Sequence, residues 1–415
     1  MFETITILTI LLGILYWYWT TTGRKINIGS YLISLYVLSL LSSFYVDNDI
    51  MPYARQDWTK YSFEASFYFL GTLLLFLLPI LKFDSNNIKL IKPVNLGLFN
   101  IIAYIFIILG FANYVYYLPI LINMLSTGDT LATLRALNDM GTTFHDIDPI
   151  FFVLSLFCQF SPIVITFYFY SLAFTPNGNV FNRLLLFSST AYIVSALSAV
   201  GRTGLIMWPM YYIFSFLLFR KFLSDRNKSK AKNLLLIVAS ICVIIFIPIT
   251  FSRYSERGVL VSLLHYIASQ FGYFNRYYQL PIVTNNSISY MFPIFRFIFG
   301  EGPRSSVYDL NILNLEIYGT DLNQFATFIG SFILVYDKAS FFVISLVYNL
   351  ILYLVFINNK VVSFGKVILI TLVSQIPLQG IFYYQMAFTI SNIYMILTIF
   401  LSLLFRKKIL LLSKK

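Results

Sequence analysis

The chain has 415 residues, 59% of them hydrophobic, only 11% charged, and a formal net charge of +12. Apolar runs near twenty residues long recur from end to end, the length a helix needs to cross roughly 30 Å of hydrocarbon. That argues against a soluble helical core, and a closed β-barrel would show short alternating segments instead, so the pattern predicts an all-α, polytopic membrane protein.

The N-terminal MFETITILTILLGILYWYW lacks a cationic leader and a small-residue cleavage site, so it reads as a retained first span. The expected spans are Glu3–Thr20, Ile28–Val46, Tyr61–Leu81, Leu96–Tyr117, Pro149–Phe174, Arg183–Val200, Thr203–Phe219, Asn233–Thr250, Ala339–Ile357, Lys366–Gln385 and Ala387–Phe405. They make about eleven crossings by length and hydropathy. Asn323–Tyr336 is apolar but short, and reads as a re-entrant turn or the outer end of the next helix. No internal repeat or low-complexity linker interrupts the chain, so residues 1–415 read as a single integral membrane domain. Within it lie a large arginine-rich outer loop, residues 251–338, and a smaller one, residues 118–148.

Cationic connections, mostly lysine, fall on alternate loops: Arg24 and Lys25; Lys82, Lys89 and Lys92; Arg220, Lys221, Arg226, Lys228, Lys230 and Lys232; Lys360 and Lys366; and the tail Arg406–Lys415. The positive-inside rule makes that side the cytoplasm, with the N-terminus outside and the C-terminus inside. The tail also suits anionic lipid heads, and nucleic-acid binding is not indicated. On the other side arginine outnumbers lysine eight to two: Arg55, Arg135, Arg202, Arg253, Arg257, Arg276, Arg296 and Arg304 against Lys60 and Lys338. Arginine's planar fork grips phosphate and carboxylate in a bidentate way, which the inside rule does not explain. The competing reading pairs these arginines with outer acids such as Glu256, Glu301, Asp309 and Asp321.

Other outer features each carry two readings. Asp47-Asn48-Asp49 is a carboxylate pair for a divalent cation or simply a turn. Glu64 sits just inside the third span, an intramembrane carboxylate or one that reaches water. Leu131, Leu134 and Leu137 predict a short amphipathic helix that would carry Arg135 near the lipid heads. Gly201-Arg202-Thr203-Gly204 predicts a tight outer turn that presents Arg202 to a phosphate or lets it snorkel. Val259–Phe274, broken by His265, Ser269 and Gln270, reads as an interfacial or re-entrant helix. Tyr273, Tyr277 and Tyr278 around Arg276 suit sugar stacking or an aromatic belt. Cys158 and Cys242 read as small core residues, and no CxxC, HExxH or Gly-rich phosphate loop is present.

Together, SAVGRTGLI at an outer turn, RYSERG opening the large loop and NQFATFIGSFILVYD before a late span resemble the Wzy-type O-antigen polymerases, which join oligosaccharide repeat units. Asn323, Thr327, Phe328 and Asp337 resemble a family pattern, although Asp337 is displaced and Lys338-Ala339-Ser340 replaces a glycine-containing segment. The resemblance implies a helical glycosyltransferase of the C type or similar, in the bacterial inner membrane. It implies transfer of a growing glycan from undecaprenyl diphosphate onto a new lipid-linked repeat, and a chain-length regulator as partner. On that reading Arg253, Arg257 and Arg276 hold the diphosphate, with Arg202 or Arg135 in support, and no cofactor or metal is needed. The base candidates are His265, whose ordinary pKa suits neutral pH, then Glu256 between two arginines, then Asp337. An O-antigen ligase, using the same donor, is the alternative, followed by a lipid-linked glycan flippase and a metal-dependent transferase using Asp47 and Asp49. The near absence of charge within the spans argues against transport.

Overall fold

The computed structural model describes residues 2–45, 62–126, 149–199, 201–253, 259–279, 282, 284, 287–295, 307–318, 326–357 and 360–406. In chain order the helices are α1 (Phe2–Thr21), α2 (Ile28–Tyr45), α3 (Phe63–Phe83), α4 (Leu96–Ser126), α5 (Pro149–Gln159), α6 (Ser161–Phe174), α7 (Asn179–Ser189), α8 (Ala191–Ser198) and α9 (Thr203–Phe219). They continue as α10 (Asp225–Arg253), α11 (Val259–Gln279), α12 (Ile288–Met291), α13 (Val307–Tyr318), α14 (Thr327–Val335), α15 (Lys338–Phe356), α16 (Phe364–Gln379) and α17 (Thr389–Leu404). The β structure among the described residues is one parallel pair, β1 (Leu90–Ile91) with β2 (Val361–Val362), in register Leu90 to Val361.

Among the described residues, five helices are long and apolar enough to cross a membrane: Glu3–Thr21, Phe63–Asn87, Leu96–Asn123, Asn179–Ser198 and Lys338–Phe356. A sixth is the bent pair Ile150–Gln159 and Ser161–Phe174, whose axes differ by 55°. The apolar run Pro149–Phe174 is therefore interrupted: Pro162 opens α6, where a proline without an N–H is tolerated, and the chain turns at Phe160. Further apolar helices are shorter: Ile28–Ser43, Thr203–Phe219, Phe364–Gln379 and Thr389–Leu404. The expected run Lys366–Gln385 stops being helical at Gln379 because residues 380–384 leave the helix. The expected Asn233–Thr250 lies within the longer α10, and Val259–Phe274 within the unbroken α11. Thr327–Val335 is a separate nine-residue helix, distinct from α15.

Contacts group the chain into two compact units. The first comprises Met1–Asn87, Glu256–Asn359 and Ser374–Ile393. Its core is aromatic: Phe76 lies 4.8 Å from Phe328 and 4.3 Å from Tyr348, and Phe69 lies 5.2 Å from Phe271 and 5.1 Å from Phe274. Such offset and edge contacts add to the burial of large rings. Between helices, hydroxyls donate to backbone carbonyls: Tyr36 Oη to Pro377 O at 2.7 Å, Ser39 Oγ to Ile267 O at 2.9 Å and Ser43 Oγ to Ala268 O at 2.6 Å. The last two fasten α11 to α2.

The second unit comprises Ile88–Ser255, Lys360–Val373 and Tyr394–Lys415. Phe99 stacks on Phe167 at 4.9 Å, and Tyr170 packs on Phe364 at 4.2 Å. Trp208 Nε1 donates to Ser189 Oγ at 2.9 Å, and Tyr212 Oη to Ala231 O at 3.1 Å, so the buried polar tips of these rings are satisfied.

Candidate functional site

In the first unit, a cavity of about 420 Å3 is lined by Tyr277, Ile282, Thr284, Ile333, Asp337, Lys338 and Ala339. The volume falls within the roughly 300–1,000 Å3 typical of small-ligand sites. Its walls come from the last turn of α11, the segment after it, the end of α14, and the start of α15.

Each side chain is placed for a local reason. Asp337 is the N-cap of α15, in extended backbone, and its Oδ1 accepts from Ala339 N and Ser340 N, both at 2.9 Å. Its Oδ2 accepts from Ser340 Oγ at 2.5 Å. These donors, the Ser340 hydroxyl first, hold the Asp337 carboxyl below its ordinary range. The exposed Lys338, next after the cap, lines the cavity, and its Nζ lies 3.8 Å from the centre of the Tyr278 ring. Tyr278 is 5% exposed, and its hydroxyl donates to Glu64 Oε1 at 2.6 Å. Burial first, then that bond and the Glu64 charge, push the Tyr278 phenol well above its ordinary value. Tyr68 of α3 completes the cluster: its ring is 5.2 Å from that of Tyr278, and its Oη donates to Lys338 O at 2.7 Å.

The helix that carries Ile333 begins with strained backbone. Thr327, the first residue of α14, has φ 64°, an unusual conformation for a β-branched residue. It is held by Thr327 N donating to Phe382 O at 3.0 Å and Phe328 N to Gly380 O at 2.8 Å. The whole of α14 is buried, including Ile333 on the cavity wall.

Arg202 belongs to the second unit. It precedes α9 in the turn expected there and is 7% exposed. The glycines beside it do not need positive φ; they allow close approach. A Cβ on Gly201 would meet Ala196 O at 2.9 Å, and one on Gly204 would meet Tyr192 O at 2.9 Å.

No family model, curated protein or solved structure matches the chain.

Of the residues singled out from sequence, Tyr277 and Asp337 line the cavity, and Tyr278 lies immediately behind it. Tyr273 and the half-buried Arg276 stand on the same helix, α11. His265 also lies on α11, and Arg253 ends α10, but the side chains of both fall outside the described residues. Glu256, Arg257, Arg135, Asp47 and Asp49 lie outside them altogether. Among the described residues, no group of three or more His, Cys, Asp or Glu is arranged to hold a metal ion. Lys338, Thr284 and Ile282 are additions that sequence reasoning did not assign to a site. The one available signal was Lys338 standing alone as the lysine of an arginine-rich stretch.

Proposed function

We propose that this protein polymerises undecaprenyl-diphosphate-linked oligosaccharide repeat units at the outer face of a bacterial inner membrane. The observation that carries the reading is the cavity beside Asp337 and Lys338, at the start of an apolar helix of membrane-crossing length. A tyrosine, a threonine, a carboxylate and an ammonium line the cavity, residue types suited to a sugar bearing or neighbouring a phosphate. Their place at the end of a membrane-length helix is where the head of a lipid-linked glycan would lie. The reading includes about eleven crossings in a C-type-like glycosyltransferase arrangement, with the large loop outside and the C-terminus in the cytoplasm.

In this reading Arg253, Arg257 and Arg276, supported by Arg202 or Arg135, neutralise the diphosphate as it leaves, without a metal. The glycan's anomeric carbon–phosphate oxygen bond breaks, a bond to the acceptor hydroxyl oxygen forms, and the hydroxyl proton passes to a base. His265 is the first candidate base and Glu256 the second. Asp337 stays third, since a carboxylate held by three donors below its usual range is a weak proton acceptor. A ligase that uses the same donor is the second reading, favoured only by the shared donor chemistry.

The test is purified protein incubated with a defined lipid-linked repeat unit, with products sized on a gel. A ladder that persists in chelator and is lost in the Arg253→Ala, Arg257→Ala and Arg276→Ala triple variant supports the proposal. Single alanine variants should lose about ten- to a hundredfold in rate, the cost of one charge-assisted bond. Product only in the presence of a lipid A-core acceptor would replace polymerase by ligase.

A further inference from the structure

Lys338 is held in place more firmly than a solvated lysine needs to be. Its carbonyl is bound by Tyr68 at 2.7 Å, and its ammonium rests 3.8 Å from the Tyr278 ring centre. The ring in turn is fixed by its 2.6 Å bond to Glu64. Two helices, α3 through the backbone carbonyl and α11 through the Tyr278 ring, thus hold this first residue of α15 at a cavity wall. The nearest carboxylate in sequence, Asp337, is directed to the amides of Ala339 and Ser340 and to the Ser340 hydroxyl. Among the described residues the Lys338 ammonium forms no ion pair. An ammonium over a ring face keeps its outward N–H groups available, because the attraction uses the charge and not a directed bond.

We infer that Lys338 is an anion-binding residue of this cavity, gripping a phosphate or carboxylate oxygen of the ligand, with Tyr278 and Glu64 as the residues that position it. The helix start does not supply the site, since Asp337 already occupies its first free amides. Glu64 acts at a distance: its carboxylate holds the phenol, the ring holds the ammonium, and the ammonium meets the ligand. That the anion belongs to a membrane-anchored diphosphate rests on the proposed function; an acidic sugar would offer the same chemistry.

Direct binding tests this without turnover. Wild type, Lys338→Gln, Lys338→Arg and Tyr278→Leu are placed in nanodiscs of zwitterionic lipid. Each is titrated with a short-chain prenyl diphosphate, inorganic pyrophosphate and glucuronate. Wild type should bind at least one probe, and Lys338→Gln should weaken that probe about tenfold or more, the scale of one charge-assisted bond. Lys338→Arg should keep most of the affinity. Tyr278→Leu should lose affinity like Lys338→Gln, a loss that a merely structural lysine would not transmit. A preference for the prenyl diphosphate places the anion on a lipid, and a preference for glucuronate places it on a sugar. Equal affinity in wild type and Lys338→Gln at normal melting temperature, or no binding of any probe by wild type, overturns the inference. Lysine-dependent binding with no polymer ladder would instead leave it standing and sink the proposed function alone.

Discussion

At the scale of single residues, Asp337 separates two roles that the sequence leaves combined. As a cap it satisfies the first amides of α15, and its loss should cost about 1 kcal/mol. Its carboxyl is held below the ordinary range, so its contribution is fully present above the unfolded value of roughly 4. It is lost as pH falls through the lowered folded value. Thermal melts of wild type and Asp337→Ala should therefore differ at pH 7 and draw together in acid, and a gap that stays constant down to about pH 3 would contradict this. Asparagine caps nearly as well as aspartate, so Asp337→Asn should melt close to wild type. A large loss of turnover in that variant at a normal melting temperature would make Asp337 the base and reverse the order of candidates. Part of this site was legible in the sequence. Tyr277, Tyr278 and Asp337 were visible as aromatic and acidic residues of the arginine-rich stretch, and Glu64 as a carboxylate in an apolar run. Their assembly was not, because Tyr278 meets Glu64 across 214 positions, and only the fold brings α3 to α11.

At the scale of elements, the helices were legible wherever an apolar run was long, and their interruptions were less so. Within Pro149–Phe174 the one sequence signal for the break is Pro162, which would kink a continuing helix and instead opens α6. The break after Gln379 is a matter of contact. A Cβ on Gly380 would lie 2.1 Å from Ile376 O and 2.6 Å from Phe328 Cδ1. Gly380 therefore admits Phe328, and with it the strained start of α14, to close packing. Gly71, inside α3, has no atom within 4 Å of the same position. The two glycines should respond oppositely to alanine. Gly380→Ala should destabilise by about 1–3 kcal/mol, as overpacked sites do. Gly71→Ala should be neutral or stabilising by up to about 1 kcal/mol, as expected for an open helical position. Melts of both variants in detergent decide it; a Gly380→Ala protein as stable as wild type would mean that Phe328 can move aside at little cost.

At the scale of the whole molecule, orientation decides whether the cavity can meet a lipid-linked glycan at all. Charge is sorted along the chain: lysines concentrate on one set of connections and arginines on the other. Lysine and arginine both count in the inside rule, so the side with more cations close to the spans is the cytoplasmic one. The contrast is sharpest between the two ends of α10. That helix starts beside Lys228, Lys230 and Lys232 and ends at Arg253, with an apolar stretch between. If that stretch crosses the membrane, its two ends face opposite sides. Single cysteines at Ser229 and at Ser255, in a background lacking Cys158 and Cys242, should then label differently in intact cells. An impermeant thiol reagent should modify Ser255→Cys and spare Ser229→Cys until the membrane is opened. Labelling of Ser229→Cys alone would invert the molecule and place Lys338 and its cavity in the cytoplasm, away from an outer-leaflet substrate. Equal labelling of both would show that α10 does not cross, and the count of about eleven crossings would fall with it.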